Sequence, residues 1–418
     1  MNATATAPAA VPIALVGSRG FGRVHLEHLQ PLLESGVARL VAVVDTIEPE
    51  PDVPRPVFRS LTTMMAELPP GDRPEAAIIA TPIGTHRPLT EEALMLGLAV
   101  YVEKPPAPSL EDHLALLRAS REAGLPVQVG FQARGGEGVG ALQDLVTGGD
   151  LGEPEMVHAH GAWTRTVAYY DRSPWAGKRM MDGQRVADGV VTNPLAHGVD
   201  IALLVAGITS LDDIDLITTE LRRAHDIECD DTSFVRVDST DPATPPVVAT
   251  LTTISPEILV QLEPWVEVRG SRGRARLYYT TDRLETEIDG AERTVHLDRT
   301  NLVENLLAHL RDPGVDLLGA LETVLPFSAV LEATQSAPEP TPIDPALLRW
   351  VGEGPTARPE LDGLAEILAA AARTGRPFSE SGAPFADRSA VATWTPPRAR
   401  SGAGTDADAC ADEPGRTY

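Results

Sequence analysis

Hydrophobic residues in the first third of the chain occur in short runs separated by amphipathic stretches. The runs are rich in Val, Ile and Ala, are too short for helices and are bounded by turn residues. They comprise residues 12–16, 40–44, 76–80, 99–102 and 127–130, and residues 21–35, 86–96 and 109–123 between them have helical spacing. This alternation predicts βαβ units and a parallel, doubly wound α/β sheet.

The pattern changes after residue 148, where longer alternating runs predict antiparallel strands. These runs are residues 214–221, 232–237, 247–253, 265–269 and 274–279, with helical patterns at 194–205, 302–311, 317–331 and 361–373. We therefore expect a carboxy-terminal α+β domain built on a large, mostly antiparallel sheet. The expected organisation is a disordered segment 1–10, a doubly wound domain 11–132, an α+β domain with a helical extension 133–386, and a disordered tail 387–418.

Composition and charge narrow the possible partners. The chain has 418 residues and a net charge of −25, which disfavours nucleic acid and anionic membrane surfaces. Its two cysteines, Cys229 and Cys410, are far apart and favour a reducing compartment, so we expect a cytoplasmic location. Neither a secretory signal nor a membrane span is predicted, because the amino terminus lacks basic residues and the most apolar stretch is interrupted by polar ones.

A glycine-rich motif follows the first predicted strand and opens the first helix. It consists of Gly17, Ser18, Arg19, Gly20, Phe21 and Gly22. In a G-x-G-x-x-G fingerprint the first glycine forms the tight turn, the second lets the pyrophosphate approach and the third lets helix and strand pack closely. Gly17 and Gly22 fit, whereas Arg19 occupies the middle position and a glycine follows at Gly20. The motif predicts a dinucleotide site, with a glycine-rich turn that binds no nucleotide as the alternative.

Asp45 ends the second predicted strand, where an acidic side chain can accept hydrogen bonds from the adenosine ribose. A carboxylate there favours NAD over NADP, since Thr46 and Ile47 add no positive charge to hold a 2′-phosphate. An ordinary solvent-exposed strand-end aspartate is the alternative.

Lysine is rare in this chain. Of the 35 basic residues only Lys104 and Lys178 are lysines. A lysine amine is compact and shifts its pKa more readily than an arginine, so a lysine in a chain that otherwise uses arginine indicates a specific role. Lys104 follows a predicted parallel strand, at the sheet edge where ligands bind.

The neighbours of Lys104 extend this motif. They are Thr81, Pro82, His86, Glu103 and Pro105, and with them the chain resembles the Gfo/Idh/MocA family of glucose-fructose oxidoreductases and inositol dehydrogenases, over residues 11–386. The resemblance implies an NAD(P)-binding Rossmann domain in which the turns at Thr81-Pro82 and Glu103-Lys104 line the nicotinamide pocket. It also implies that Lys104 contacts both cofactor and substrate. A surface lysine beside a proline turn is the alternative.

A second motif lies at the start of a predicted helix. Asn193 and His197 are four residues apart and therefore share a helical face. The family pattern is Asp, three residues, His, two residues, Asp; His197 and Asp200 match it, and Asn193 replaces the first acid. The resemblance implies that His197 accepts the substrate proton, as an imidazole can near neutral pH. Asn193 can hydrogen-bond but cannot be a base, which leaves Lys104 and His197 as the acid/base candidates. A histidine satisfied within the core is the alternative.

Two further segments resemble substrate-side elements. They contribute Gln132, Arg134, Tyr170 and Trp175. Aromatic faces combined with polar donors and acceptors suit a polyol. Ordinary surface loops are the alternative. A histidine and several carboxylates cluster near His225, but no second histidine follows at ligand spacing, so no metal is predicted.

These motifs predict an NAD-dependent dehydrogenase acting on a sugar, inositol or related polyol, with NADP less favoured. One alternative is a cofactor-retaining enzyme of the same family, similar to a glycosidase or epimerase. Another is an NAD-binding sensor without turnover, suggested by Arg19 and Asn193. We also expect a homodimer or homotetramer, because an open face of the large sheet needs a cover.

Overall fold

The computed structural model describes residues 9–256, 263–385 and 387–397. Its amino-terminal part contains a parallel sheet, six-stranded within these ranges, in the order β3-β2-β1-β4-β5-β6. The strands are β1 (Val11–Val16), β2 (Ala38–Val44), β3 (Val57–Phe58), β4 (Ala76–Ile79), β5 (Ala99–Val102) and β6 (Val127–Val129). The predicted doubly wound sheet is confirmed, and the short edge strand β3 was not predicted.

Helices connect these strands. They are α1 (Phe21–His28), α2 (Gln30–Glu34), α3 (Leu61–Glu67), α4 (His86–Met95), α5 (Leu110–Ala123) and α6 (Glu137–Thr147). The helix predicted over residues 21–35 is in fact two, because Pro31 has no amide hydrogen to continue the first one. Ser109 caps the start of helix α5, because its side-chain oxygen accepts a hydrogen bond from the Asp112 amide at 3.1 Å. The helix ends before Gly124, whose backbone is in the left-handed region.

The second sheet is larger and mostly antiparallel, with ten strands among the residues described. They are β7 (Pro154–Ala162), β10 (Ile214–Arg223), β11 (Thr232–Ser239), β12 (Val247–Thr252), β13 (Trp265–Gly270), β14 (Gly273–Tyr278), β15 (Arg283–Ile288), β16 (Ala291–His296), β17 (Thr341–Pro342) and β20 (Val391–Trp394). Two separate hairpins pair β8 (Met180–Met181) with β9 (Gln184–Arg185) and β18 (Leu348–Val351) with β19 (Arg358–Leu361). The expected α+β architecture on a large sheet is confirmed.

Five further helices in the described ranges accompany this sheet. They are α7 (Val167–Asp171), α8 (Ala196–Val205), α9 (Leu302–Arg311), α10 (Leu325–Ser336) and α11 (Leu364–Thr374). Helix α10 begins later than predicted because Pro326 occupies its first turn. Helix α8 packs on β7, β12 and β13, so the start of α8 lies over the inner face of the large sheet.

The carboxy-terminal prediction needs correction. We expected disorder from residue 387, yet Val391–Trp394 forms β20 and pairs antiparallel with β10. The composition of the whole tail is typical of disorder, but the short segment Val391–Trp394 contains β-branched and aromatic residues that suit the edge of a sheet. The predicted disorder at residues 1–8 and 398–418 lies outside the described residues. Within the described part of the chain, every helix is too short or too polar to span a bilayer.

Candidate active site

The turn between β1 and α1 has no room for a Cβ at two positions, Gly17 and Gly22. Gly17 has φ +87°, and a Cβ there would lie 2.6 Å from the carbonyl oxygen of Ala80. A Cβ on Gly22 would lie 2.1 Å from the Gly17 carbonyl oxygen. The absence of a Cβ at both positions lets the start of α1 pack closely against β1 and the end of β4. This is the close helix–strand packing expected of a dinucleotide turn.

The middle of the turn is open. Gly20 has φ +53°, and a Cβ there would meet no atom within 4 Å. The Arg19 guanidinium turns toward the loop after β2, where it donates to the Glu48 carbonyl oxygen at 2.9 Å. Phe21 is exposed at the first position of α1. The side chain at the irregular position is thus directed away from the backbone of the turn.

Asp45 is held at the end of β2 by the same turn. Its Oδ2 accepts from the Ser18 amide at 3.0 Å and from the Ser18 hydroxyl at 2.5 Å, and its Oδ1 accepts from the Ile47 amide at 3.0 Å. Burial opposes ionisation, but these hydrogen bonds lower the pKa of the Asp45 carboxyl overall.

The charge environment of Asp45 corrects one expectation. The adjacent residues carry no cation, but Arg59 donates to the Asp45 carbonyl oxygen at 3.2 Å, and the Arg19 charge acts on the carboxylate. The sequence analysis considered only the residues next to Asp45, whereas Arg19 and Arg59 come from other loops. Two guanidiniums therefore lie near Asp45, where the sequence predicted no positive charge.

His86 ties together the turns that follow β4 and β5. It is buried, its Nδ1 lies 2.8 Å from the Pro105 carbonyl oxygen, and its Nε2 lies 2.8 Å from the Thr81 carbonyl oxygen. Burial lowers the pKa of His86, opposed by the hydrogen bonds to these two carbonyls. Thr81 borders the glycine turn and Pro82 is exposed, whereas His86 lies behind the turns and positions them.

A buried polar network anchors the residue before Lys104. Glu103 Oε1 lies 2.8 Å from His25 Nε2 and accepts from Gln132 Nε2 at 2.9 Å, and Gln132 also donates to the Tyr101 hydroxyl at 3.0 Å. Glu103 Oε2 accepts from the Lys104 amide at 3.2 Å. Sequence analysis missed His25 and Tyr101, which lie on α1 and β5 and meet Glu103 only in three dimensions.

Lys104 reaches the second motif directly. Its Nζ donates to the Asn193 side-chain oxygen at 2.8 Å and to the Asn193 backbone carbonyl at 2.9 Å. The Asn193 amide nitrogen in turn donates to Asp188 Oδ1. Burial lowers the pKa of Lys104, opposed by the charges of Glu103 and Asp188. The structure thus brings the two predicted residues together and adds Asp188, an acid that was not among the predicted site residues.

Asp188 is almost completely buried. It accepts from the Gly177 amide at 2.7 Å, and Arg172 lies 3.5 Å from its Oδ2. Burial raises the pKa of the Asp188 carboxyl, opposed by the hydrogen bonds from Asn193 and Gly177. The Asn193 side chain links the Asp188 carboxylate to Lys104. A carboxylate is therefore present next to the position at which the family pattern has an aspartate.

His197 lies one helical turn after Asn193. Its Nδ1 is buried and lacks a hydrogen-bond partner among the described residues, and its ring meets Phe131 edge-on at 5.4 Å between centroids. Burial, followed by the charges of Lys104 and Arg299, lowers the pKa of His197 to about 3. The imidazole is therefore neutral across the physiological range and able to accept a proton.

Arg134 does not occupy the predicted substrate position. Its guanidinium forms two hydrogen bonds of 2.6 Å with the Asp200 carboxylate, and both side chains are buried. It also donates to Thr323. Asp200, the last acid of the motif, lies on α8 and is the buried partner of Arg134. Sequence analysis placed Arg134 in the cleft because it follows a predicted strand. In the structure Arg134 is buried and paired with Asp200, so its role is structural.

The loop containing α7 brings aromatic rings to Asp188. Arg172, bonded to Asp188, stacks 3.7 Å from the Tyr169 ring centroid and 4.7 Å from that of Trp175. The Tyr170 hydroxyl lies 3.1 Å from the Thr253 hydroxyl. Trp175 therefore lies beside the polar chain and Tyr170 is engaged with the large sheet. Tyr169 and Arg172 belong to the same predicted segment but were not among the predicted site residues.

The fold and this polar chain at the strand ends define a dinucleotide-binding protein. A model of the Gfo/Idh/MocA oxidoreductase family, with an NAD-binding Rossmann fold, matches residues 11–131. The amino-terminal part of the chain is similar to this family, in agreement with the resemblance inferred from the sequence.

Relatives of known name agree with this assignment. Inositol 2-dehydrogenase of Corynebacterium glutamicum (strain R) is 25% identical over 205 residues, which cover 47% of this chain and 54% of that protein. Inositol 2-dehydrogenase of Rubrobacter xylanophilus is 31% identical over 199 residues, covering 46% and 51%. The chain thus matches about half the length of these relatives.

Solved structures share the fold over a longer stretch. An inositol dehydrogenase homologue complexed with NAD+ from Azotobacter vinelandii superposes with a TM-score of 0.64 and 18% identity, covering 78% of this chain and 94% of that one. The WlbA dehydrogenase of Bordetella pertussis, in complex with NADH and UDP-GlcNAcA, gives 0.61 and 22%, covering 78% and 95%. The likeness therefore extends beyond the amino-terminal sheet.

Proposed function

We propose that the protein is an NAD-dependent oxidoreductase that interconverts a hydroxyl and a carbonyl group of a sugar, inositol or related polyol. The observation that carries this proposal is the hydrogen-bonded chain from Lys104 through Asn193 to Asp188, beside a neutral His197. It lies at the carboxyl ends of β4 and β5, where doubly wound sheets bind ligands. The inositol dehydrogenase names of the relatives support the polyol class.

The amino-terminal turn fits a dinucleotide. Gly17 and Gly22 allow close packing, the open side at Gly20 leaves room for a pyrophosphate, and Asp45 offers a carboxylate to the ribose hydroxyls. When bound, NAD supplies the hydride-transfer chemistry. The glycine turn, Asp45 and the turns at Thr81 and Glu103 are the residues that would hold it.

The chain's own residues handle the proton. We assign His197 as the group that takes the hydroxyl proton, because it lies one turn after Asn193 and near Lys104 and its imidazole is neutral. A pKa of about 3 makes it a weak base, so bound substrate must raise that pKa for the transfer. Lys104 would hold the substrate oxygen, with its ammonium oriented by Asn193. Trp175, stacked with Arg172 beside Asp188, offers an aromatic face for the polyol, whereas both amide hydrogens of Gln132 are donated to Tyr101 and Glu103, which leaves its side-chain oxygen as an acceptor.

The test is reduced-nicotinamide absorbance after mixing the protein with NAD or NADP and a panel of sugars, inositols and sugar acids. We expect turnover with NAD and at least one polyol, and a loss of about 10²–10⁴-fold in kcat for His197→Ala, the scale of general-base catalysis. Lys104→Ala should lose activity similarly, whereas Lys178→Ala, an exposed lysine paired with Glu228, should not.

Failure has two informative forms. Bound NAD that persists through purification, with substrate conversion but without net NADH, would replace the dehydrogenase with the cofactor-retaining enzyme. NAD binding with no conversion of any substrate would favour the sensor.

We also propose self-association into a homodimer or homotetramer. The carboxy-terminal segment covers the outer face of the large sheet near β10 to β12, so only part of that face needs another cover. The face left for a second subunit is that of β14 to β16, which carries exposed charged residues. Light scattering tests this proposal, and a monomeric mass would contradict it.

A further inference from the structure

A cavity of about 400 Å³ lies between the outer face of the large sheet and helix α11. Strand β7 alternates, so Val157 and Ala159 join the core beneath α8 whereas His158 and His160 line the cavity. His197 belongs to α8 on the inner face. The cavity is therefore separated from the candidate active site by the sheet itself.

The floor of the cavity is a fixed polar surface. Trp265 pairs with His160 across β7 and β13, and their rings stack at 4.9 Å between centroids. The Arg276 guanidinium lies 4.1 Å from the centre of the Trp265 ring. Such packing holds the guanidinium in place before any ligand arrives, which lowers the ordering cost of binding.

The cavity carries positive charge in an acidic protein. Arg269, Arg276 and Arg373 line it, whereas none of the described residues that line it is acidic. The buried Glu267 beneath the floor accepts from Arg269 at 2.7 Å and from Arg276 at 2.6 Å. Arg373 has no hydrogen bond or ion pair with another described residue. The three guanidiniums that line the cavity thus carry more positive charge than the single Glu267 carboxylate neutralises, although the chain as a whole has a net charge of −25. This excess of positive charge favours an anion in the cavity.

His158 belongs to the buried floor of the cavity. Its Nε2 lies 2.8 Å from the Thr250 hydroxyl, which also lies 3.2 Å from His160 Nδ1. Burial, together with nearby positive charge, lowers the pKa of His158, so the ring is neutral. The two imidazoles and Thr250 therefore form a hydrogen-bonded part of the floor.

The roof of the cavity is apolar. Helix α11 contributes Leu364, Leu368 and Ala372, and these residues also belong to or adjoin the apolar cluster of the carboxy-terminal segment. We propose that this cavity binds a small organic anion, whose carboxylate or phosphate meets the three cavity arginines and whose hydrocarbon part packs on α11. The volume lies within the range of small-molecule sites, roughly 300–1,000 Å³.

Isothermal titration calorimetry of the full-length protein tests this site with benzoate, phenyl phosphate and the neutral isostere benzamide. We expect saturable one-to-one binding of at least one anion and none of benzamide. Arg373→Gln should weaken that binding about tenfold, the loss expected for one charge-assisted contact. Arg376→Gln is the matched control, since Arg376 is an exposed arginine on the same segment that does not line the cavity, and it should bind as wild type.

Two further variants locate the site. Ala372→Leu fills the cavity from its roof and should abolish binding, and an unchanged circular dichroism spectrum and melting temperature would show that its fold is retained. Lys104→Ala should bind the anion normally, because it alters only the candidate active site. The proposal is overturned if no anion binds to wild type, if Arg373→Gln and Ala372→Leu bind unchanged, or if Lys104→Ala loses binding. The last outcome would place the anion in the catalytic cleft.

Discussion

Asn193 differs chemically from the aspartate that the family pattern has at this position. Its side chain accepts from Lys104 with one atom and donates to Asp188 with the other, which an ionised aspartate could not do. Asp188 could not be identified from spacing, because the contact depends on the turn between it and α8. Immediately before that turn, Ala187 has φ +55°, a conformation uncommon for a non-glycine residue.

The charge of Asp188 should control the titration of Lys104. This negative charge raises the pKa of Lys104, so Asp188→Asn should lower that pKa further and move the alkaline limb of kcat/KM to lower pH. A pH–rate profile checks this shift. Asp226→Asn removes an equally negative but fully exposed side chain and should leave the profile in place. An unmoved limb in Asp188→Asn would contradict the assigned role.

Arg134 and Asp200 form a buried pair, and breaking it leaves an uncompensated charge. Arg134→Ala should lower the free energy of unfolding by about 3–5 kcal/mol, whereas KM of the folded fraction should change little. Urea unfolding measures the first quantity. The double variant Arg134→Met with Asp200→Leu should recover much of the loss, and a selective rise in KM would instead restore Arg134 to the substrate site.

At the level of elements, the β1–α1 turn combines two kinds of glycine. Gly22 is required by close packing, and its own φ is not in the left-handed region. Gly20 is required only by its backbone angle. The sequence motif ranks these positions alike, because the distinction depends on how α1 lies against β1 and β4.

The two glycines should therefore respond differently to alanine. Gly22→Ala places a methyl group against the Gly17 carbonyl and should cost about 1–3 kcal/mol or more of stability, together with NAD affinity. Gly20→Ala should cost about 1–3 kcal/mol of stability through its positive φ alone, and its methyl group would enter the side left open for the pyrophosphate, so NAD affinity should fall more than stability. Thermal unfolding and NAD titration compare the two. Equal losses of stability and affinity would contradict the packing argument.

At the scale of the whole molecule, the carboxy-terminal part returns to the amino-terminal sheet. Helix α9 packs its Leu302, Val303 and Leu306 into the core cluster beside β1. His113 on α5 is buried between the Ser328 hydroxyl, 2.7 Å from its Nδ1, and the Leu321 carbonyl, 2.9 Å from its Nε2. The two sheets are thus joined by polar and apolar contacts.

The buried His113 should make stability depend on pH. Burial lowers its pKa to about 4 in the folded protein, whereas the unfolded chain titrates near 6.5, so acidification favours unfolding. Between pH 7.5 and 5.5 the difference in unfolding free energy, wild type minus His113→Gln, should fall by about 1 kcal/mol. Urea unfolding at both pH values measures it. The exposed His28→Gln is the control, and a difference for His113→Gln that does not vary with pH would exclude the effect.

Sequence periodicity determined the class of fold and the main strands and helices, because a buried strand or an amphipathic helix needs apolar residues at its own local spacing. Local motifs likewise located the glycine turn, Lys104 and the pair Asn193 and His197. Tertiary structure decided what distant segments do together. It placed Asp188 behind Asn193, withdrew Arg134 into the core and paired β20 with β10. Hydrogen bonds and burial between residues far apart in the chain leave no period in the sequence, so folding alone reveals them.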